Sequence, residues 1–254
     1  MKRPTIKSLK EKAETMEPFE AFSWLKTMSE EYGESVKKLA DKYYKRAEAI
    51  KKEKERLLAM TAIESSAYEK GYTLIGGVDE AGRGPLAGPV VAACVILPKG
   101  LLINKLNDSK KISESVRNEL YETIKNEAIS YGIGIVEHHI IDEINIYEAT
   151  KRAMELAIGC MKQTPDFLIL DAMVLNNGIH YTSVPKADEK SVSVAAASIL
   201  AKVTRDRIMQ KMDRVYPEYG FAQHKGYGTK AHIEAIKEKG LCPIHRRSFT
   251  KNIV

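Results

Sequence analysis

The stretch LIGGVDEAGRGP, residues 74–85, joins an apolar run to two adjacent acids and a glycine-rich loop. Residues 72–78 are mostly aliphatic or aromatic and predict a β-strand. Asp79 and Glu80 follow without a break, so they are expected where this strand leaves the core. Ligands bind at that edge in open α/β sheets. A carboxylate there is costly unless something compensates its charge.

The segments that follow predict a sheet covered by helices. Three further apolar runs of strand length lie at residues 90–97, 131–136 and 167–170. The last run is apolar throughout, which is typical of a strand that is buried on both faces. Helical patterns occupy residues 113–130, 145–161, 191–212 and 229–239. This order of strands and helices predicts an α/β fold with a mixed sheet.

The first 70 residues differ from the rest, because lysine, glutamate and alanine dominate them. Helical spacing predicts helices over residues 16–28 and 35–69. We therefore predict a helical N-terminal extension, residues 1–70, and a main domain, residues 71–254, with a helical binding region near its C-terminal end. The interleaved charges of the extension predict solvated helix faces. The alternative is a surface that grips nucleic acid.

Composition narrows the class of protein. The formal net charge is +6, which suits a polyanionic partner, although many soluble proteins are mildly basic. No run approaches the ~20 apolar residues that span a bilayer, and no apolar segment follows the basic start as in a signal peptide. We therefore expect a cytoplasmic protein. Cys94, Cys160 and Cys242 are too far apart for a zinc or redox pair and are expected to be buried.

Two further acids are candidates for the same site. Asp171 directly follows an apolar strand, and Asp188 lies just before the helix of residues 191–212. Carboxylates without histidine or cysteine suit hard cations, and two such ions about 3.5–4 Å apart can catalyse phosphodiester cleavage. Asp79, Glu80, Asp171 and Asp188 are thus candidate catalytic residues and ligands of Mg²⁺ or Mn²⁺. A single such Asp is more often a turn or cap residue, and Asp188 could be the helix N-cap.

A loop with glycines and a base follows the acid pair. Gly82 and Gly84 allow a close approach of the backbone to a ligand. Arg83 between them offers planar donors to phosphate or carbonyl oxygens. Lys110 lies in a polar loop, where it could contact a phosphate or simply be solvated.

An aromatic side chain could complete such a site. Tyr227 lies in a basic loop with two glycines and could stack on a sugar or base. The alternative is a packed loop aromatic. The basic and aromatic tail at residues 243–249 could extend the same groove or pack onto the core.

Five blocks in order resemble the type 2 ribonucleases H, and the bacterial ribonuclease HII family in particular. They are GVDEAGRGPLAGPV at 77–90, DSKK at 108–111, AAASILAKVTRD at 195–206, HKGY at 224–227 and HRRSF at 245–249. The first and third blocks are long and specific. The resemblance covers about residues 74–249, which leaves the extension uncovered.

The resemblance implies an RNase H-like fold, in which helices flank a mixed five-stranded sheet, here with an added N-terminal helical extension. It implies a site of four acids, in which Asp79, Glu80 and Asp171 match three members. Asp188 matches the fourth by its place before the long helix. The resemblance also implies that the Gly82–Gly84 backbone and Tyr227 recognise the ribose 2′-OH, the group that distinguishes RNA from DNA.

The implied activity is metal-dependent cleavage of RNA–DNA hybrids, and of duplex DNA on the 5′ side of embedded ribonucleotides. It leaves 3′-OH and 5′-phosphate ends, and the implied roles are ribonucleotide excision repair and primer removal. We expect a monomer without membrane contacts. The related ribonuclease HIII carries Glu as its fourth acid and strands in its N-terminal domain, so Asp188 and the helical extension favour ribonuclease HII.

Two other classes of protein remain as alternatives. One is a duplex-binding protein without activity, and the other is a nuclease that cuts DNA alone. Four acids would repel phosphates without metal, which argues against the first. For the extension we expect added duplex affinity, so its deletion should raise KM more than it lowers kcat.

Overall fold

The computed structural model describes residues 4–253. The chain divides into two compact units, one that ends at Leu58 and one that begins at Ala59. The second unit contains the whole sheet. The predicted division into domains at residues 1–70 and 71–254 stays a prediction. The compact units divide earlier in the chain, and the helix of residues 62–69, the last before the sheet, belongs to the second unit.

The first unit is helical. Its elements are α1 (Ile6–Ala13), α2 (Pro18–Tyr32) and most of α3 (Glu34–Ala59). Thr5 caps α1 by accepting a hydrogen bond from the Ser8 amide, and Pro18 starts α2 where a missing N–H costs nothing. An apolar cluster holds the three helices together and consists of Leu9, Ala13, Ala21, Leu25, Val36, Ala40 and Tyr43.

The prediction of a single helix over residues 35–69 is wrong, because the helix is interrupted after Ala59, the last residue of α3. A separate helix, α4 (Ala62–Glu69), follows. Thr61 has a non-helical backbone, with φ −90° and ψ 2°. The Met60 carbonyl accepts a hydrogen bond from the Val192 amide at 3.2 Å, a tertiary bond that helical periodicity cannot reveal.

A five-stranded mixed sheet forms the core of the second unit, which confirms the predicted fold class. Its strands are β1 (Ile75–Ala81), β2 (Val90–Ile96), β3 (Ser130–Val136), β4 (Phe167–Asp171) and β5 (His180–Val184), in the order β3-β2-β1-β4-β5. The pairs β1–β2 and β2–β3 are antiparallel, whereas β1–β4 and β4–β5 are parallel. The residue patterns predicted four of these strands, while β5, a largely polar edge strand, was missed.

Helices cover both faces of this sheet. The elements after β2 are α5 (Glu114–Glu127), α6 (His138–Gly159), α7 (Val192–Val215), α8 (Phe221–His224), α9 (Lys230–Lys239) and α10 (Arg247–Thr250). On one face Val78 and Leu170 pack with Ala153 of α6. On the other face Ile169 packs with Val194 of α7. A Cβ on Gly77 would lie 2.1 Å from the Ser193 carbonyl carbon, so α7 can reach the sheet only over a glycine.

Two smaller expectations have mixed outcomes. Cys94 and Cys242 are buried as expected, but Cys160 is exposed at the end of α6. Between residues 4 and 253, no helix has the length and apolar character that a membrane span requires.

Candidate active site

The register of β1 and β4 places Asp79 and Asp171 side by side. Val78 of β1 pairs with Leu170 of the parallel strand β4, and the next residue on each strand is an acid. Since side chains alternate along a strand, Asp79 and Asp171 point to the face opposite Val78 and Leu170, which is the face that α7 covers. The sequence prediction that these acids meet at one edge therefore has a geometric basis in the register.

A hydrogen bond connects this edge to the segment that holds Asp188. Asp171 Oδ1 accepts a hydrogen bond from the Ala187 amide at 3.2 Å, and Asp188 is the next residue, in a short 3₁₀ turn. Ala172 and Lys186 have φ values of 49° and 56°, a left-handed backbone that is uncommon for side chains of this kind. These two bends begin and end the connection that returns the chain to the acidic edge.

Asp188 is not the N-cap of α7, so that alternative is wrong. Ser191 is the N-cap, and its hydroxyl accepts a hydrogen bond from the Val194 amide at 3.1 Å. Asp188 is instead buried. Burial and the nearby charges of Asp108 and Asp171 raise its pKa to about 6. A carboxylate in this setting is poorly compensated by the protein itself.

The charges of Asp79 and Glu80 are also poorly compensated. Burial raises the pKa of Asp79 well above its usual value, and the charges of Glu80, Asp188 and Asp171 add to the effect. Burial likewise raises the pKa of Glu80, against the opposing effect of Arg83. The Arg83 guanidinium lies 3.3 Å from Glu80 Oε1. The charges of these acids affect one another's pKa values, so they form one acidic cluster. Its members are Asp79, Glu80, Asp171 and Asp188.

The acids fit a divalent cation. Glu80 Oε2 is buried and has no hydrogen-bond partner among the described residues, as expected of an oxygen that is a metal ligand. Within residues 4–253, no three His, Cys, Asp or Glu side chains are arranged to hold a metal ion unaided. Magnesium is bound by one or two carboxylates together with waters and substrate phosphate, so the donor set suits an ion whose shell a phosphate completes.

A further acid, Asp108, which was not among the predicted site residues, adjoins the cluster. It is buried beside Asp188, and its Oδ1 accepts a hydrogen bond from the Lys110 amide at 2.9 Å. Burial alone would lower the pKa of the Lys110 ammonium, but the charges of Asp108, Asp79 and Asp188 raise it. Lys110 therefore faces the acidic cluster, as a phosphate-binding lysine should. The DSKK block at 108–111 contains Asp108, but the sequence predicts a phosphate contact only for Lys110 in this loop.

Two buried arginines hold the glycine loop from behind. Arg205 of α7 donates to the carbonyls of Pro89, Lys225 and Ala87 at 2.9, 2.9 and 3.1 Å. Arg205 is fully buried, and a Cβ on Gly82 would come within 2.1 Å of its Nε. Gly82, whose φ is 98°, must therefore lack a side chain.

Arg246 binds the other half of the loop. It donates to the carbonyls of Gly82, Arg83 and Gly88 at 2.6, 3.0 and 2.9 Å. Burial lowers its pKa to about 9, so the guanidinium stays charged at neutral pH. The tail at residues 243–249 thus packs into the core, at least through His245 and Arg246, which are buried. Sequence reasoning left both roles of this tail open, and it assigned no role to Arg205 or Arg246, although both lie in the blocks that resemble the family.

The loop and the tyrosine meet. A Cβ on Gly84 would lie 3.9 Å from Tyr227 Cε1, so the ring borders the glycine platform. The Tyr227 side chain is 43% exposed and the Arg205 guanidinium lies 5.9 Å from its ring centre. The pKa of Lys110 also responds to the Tyr227 hydroxyl. The structure therefore brings the predicted substrate-binding residues, Gly82, Arg83, Gly84, Lys110 and Tyr227, beside the acidic cluster.

Comparison with known proteins shows the family to which the chain belongs. The model of the family Ribonuclease HII matches residues 76–252, and the model of the Ribonuclease HII N-terminal domain matches residues 5–68. Ribonuclease HII of Acetivibrio thermocellus is 53% identical over 251 residues and covers 98% of each chain. Ribonuclease HII of Clostridioides difficile is 52% identical over 255 residues and covers 100% of each chain.

A solved structure supports the fold independently. Ribonuclease H2 from Pyrococcus horikoshii OT3 superposes with a TM-score of 0.60 at 28% identity, over 71% of this chain and 97% of that one. These matches define the protein as a hydrolase of the ribonuclease H class. More particularly, the chain belongs to the ribonuclease HII family.

Proposed function

We propose that this protein is an endonuclease that cuts RNA–DNA hybrids, and duplex DNA on the 5′ side of an embedded ribonucleotide. One observation carries the proposal: the ring of Tyr227 borders Gly84, and this platform adjoins the acidic cluster, since the neighbouring Arg83 lies 3.3 Å from Glu80. A 2′-OH that is read by the platform would present the neighbouring phosphate to the carboxylates. The products would carry 3′-OH and 5′-phosphate ends.

Each part of the site has a distinct task in this reaction. Asp79, Glu80, Asp171 and Asp188 would hold Mg²⁺ or Mn²⁺, two ions when substrate is bound. Such ions lower the pKa of a bound water and neutralise charge on the leaving oxygen. Lys110 would position a phosphate as a point charge. Arg83 would orient Glu80 through the ion pair at 3.3 Å, and the Gly82–Gly84 backbone would approach the sugar closely.

Ribose selectivity would come from Tyr227 and the glycine loop. A site that hydrogen-bonds a hydroxyl rejects the analogue that lacks it, because its polar groups are then left unpaired. This argument separates the proposal from a nuclease for DNA alone. We propose that this activity serves ribonucleotide excision repair and primer removal. We further propose that the protein acts in the cytoplasm as a monomer.

A comparison of three duplexes tests the proposal. They carry one ribonucleotide, a run of ribonucleotides, or none, and each is incubated with Mg²⁺ or Mn²⁺. We expect cleavage of the first two and none of the third. Cleavage of all three would favour the DNA nuclease, and salt-sensitive binding without products would favour the inactive binding protein.

The assignment of the acids needs its own variant. Asp79→Asn should abolish cleavage while the thermal unfolding midpoint stays the same or rises, because a poorly compensated buried charge is removed. Asp41→Asn, at an exposed position in α3, is the matched control and should cut normally. Retained activity in Asp79→Asn would refute the carboxylate assignment.

A further inference from the structure

A cluster of three histidines lies behind the tyrosine loop. The rings of His224 and His232 stack with their centres 4.4 Å apart, and those of His232 and His245 are 5.2 Å apart. Phe221 contacts all three rings. His232 and His245 are buried. None of these histidines belongs to the acidic cluster, so the proposed chemistry does not use them.

Hydrogen bonds connect two of these histidines into a chain that ends at Tyr227. His232 Nδ1 lies 2.9 Å from the Tyr227 carbonyl, which can only accept, so Nδ1 carries the proton. His232 Nε2 then accepts from His245 Nε2 at 3.0 Å. His245 Nδ1 in turn accepts from the Cys242 amide at 2.9 Å. Neutral histidines satisfy every bond in this chain.

The third histidine holds the neighbouring residue. His224 Nε2 lies 2.8 Å from the Tyr219 carbonyl and therefore donates to it. Its Nδ1 accepts a hydrogen bond from the Gly226 amide at 3.2 Å, and its own carbonyl accepts from the Tyr227 amide at 2.9 Å. The backbone on both sides of Tyr227 is thus tied to histidine side chains.

We propose that His232 and His245 are positioning residues that set the place of Tyr227 and, through it, the affinity of the site for ribose. The proposal rests on the proposed function, in which Tyr227 reads the 2′-OH. No hydrogen bond among the described residues fixes the Tyr227 hydroxyl, so the contacts of the ring with Gly84 and Arg205 and the position of its backbone place the side chain. The backbone carbonyl accepts from the Thr229 amide at 2.8 Å and from His232, which is the end of the histidine chain.

The chain predicts opposite preferences at its two positions. An asparagine at 232 places its amide nitrogen where Nδ1 lies and keeps the bond to Tyr227, whereas a glutamine reaches the place of Nε2 and loses it. At 245 the order reverses, because only glutamine reaches the place of Nε2 and can donate to His232. Simple packing would give both positions the same order, since glutamine is the larger residue at each.

Steady-state cleavage of the single-ribonucleotide duplex measures these preferences in the full-length protein. We expect His232→Gln and His245→Asn to lower kcat/KM about 3- to 10-fold, the range of one neutral hydrogen bond. His232→Asn and His245→Gln should stay within about twofold of the parent. Phe221→Leu, which loosens the same packing but removes no polar bond, should lower the unfolding midpoint and leave kcat/KM unchanged.

A double-mutant cycle separates positioning from general stability. In a Tyr227→Ala background the loss caused by His232→Gln should vanish, because the residue it positions is gone. The same order of variants at 232 and 245, or an undiminished loss in that background, would overturn the positioning role. If instead the parent fails to cut the ribonucleotide duplex at all, the proposed function falls rather than this role alone.

If His232→Gln lowers the unfolding midpoint below the assay temperature, the pair at 245 provides the same comparison. Those variants leave the His232 ring, and its stacking on His224, in place. The proposal then stands on the ratio between His245→Gln and His245→Asn. A ratio near one would overturn it.

Discussion

Glu64 Oε1 accepts a hydrogen bond of 2.6 Å from the Ser191 hydroxyl, 127 residues away in the chain. The same oxygen accepts a second bond from the Ser193 amide at 3.0 Å. Ser191 is the N-cap of α7, and its amide bonds to the Ala187 carbonyl, next to Asp188. Helix α4 therefore supports the segment that delivers the fourth acid to the sheet edge.

Glu64→Ala should lower the unfolding midpoint. It leaves the Ser191 hydroxyl and an α7 amide without their acceptor, at a cost of about 1–3 kcal/mol, or several degrees for a unit of this size. Glu64→Gln should cost less, since an amide oxygen still accepts. Glu69→Ala, an exposed acid on the same helix, is the control for calorimetric unfolding. Equal midpoints for the Ala variants at 64 and 69 would contradict the role of Glu64.

Two truncations should behave differently. A chain that starts at residue 59 keeps α4 and Glu64, so we expect a higher KM for duplexes with little change in kcat. A chain that starts at residue 71 also loses the support of Ser191, and its kcat and unfolding midpoint should both fall. Cleavage kinetics and thermal unfolding of the two proteins check this. Similar midpoints would show that α4 does not stabilise the second unit.

Divalent metal should stabilise the protein through its acids. A ligand that binds only the folded state raises the unfolding midpoint as its concentration grows. We expect Mg²⁺ or Mn²⁺ to raise the midpoint of the parent and of Asp41→Asn, but to raise that of Asp79→Asn much less. Differential scanning fluorimetry with increasing metal, at constant ionic strength, measures this shift. A full shift in Asp79→Asn would show that the ion binds elsewhere.

The fourth acid predicts a dependence on pH without metal. Asp188 has a folded pKa of about 6, above its usual value of 3.8. A group with a raised folded pKa contributes stability that is complete below the unfolded pKa and is lost as pH rises through the folded pKa. Asp188→Asn should therefore gain midpoint relative to the parent at pH 7.5, but not at pH 4. The same difference at both pH values would contradict the raised pKa.

Arg246→Lys should destabilise the protein although it keeps the charge. A lysine cannot reach three carbonyls in the planar arrangement of the guanidinium, so at least one buried carbonyl loses its donor, at about 1–3 kcal/mol each. Arg247→Lys, its exposed neighbour, should stay within about 0.5 kcal/mol of the parent. Chemical denaturation at constant pH compares the two. Equal free energies of unfolding would mean that Arg246 does not support the loop.

Local patterns in the sequence were enough to predict that Asp79, Glu80 and Asp171 lie at one edge of the sheet, but not what surrounds them. An apolar run of strand length ends directly before Asp79 and before Asp171, so both positions were predicted from neighbouring residues alone. Asp188 needed the resemblance, because its own segment suggested a helix cap equally well. Its real position depends on a bond between Asp171 and the Ala187 amide, which no local pattern encodes.

Sequence reasoning missed strand β5 and the two buried arginines for different reasons. Strand β5 has exposed and half-buried residues and lacks the apolar run that identified the other strands. Arg205 and Arg246 are missed because arginine is rarely fully buried, and a basic residue near a proposed nucleic-acid groove is first assigned to its surface. Their acceptors are backbone carbonyls, which are invisible in the sequence.

The Gly82–Gly88 loop also orders the events by which the protein is made. Its carbonyls are held by Arg246, from 158 to 164 residues further along the chain. Because a polypeptide leaves the ribosome from its N-terminus, the acids of β1 emerge long before the arginine that completes the loop beside them. The nascent chain therefore carries the Gly82–Gly88 loop without Arg246 while at least 157 further residues are added. Until Arg246 is made, the carbonyls of Gly82, Arg83 and Gly88 lack the donor that holds them beside the acids.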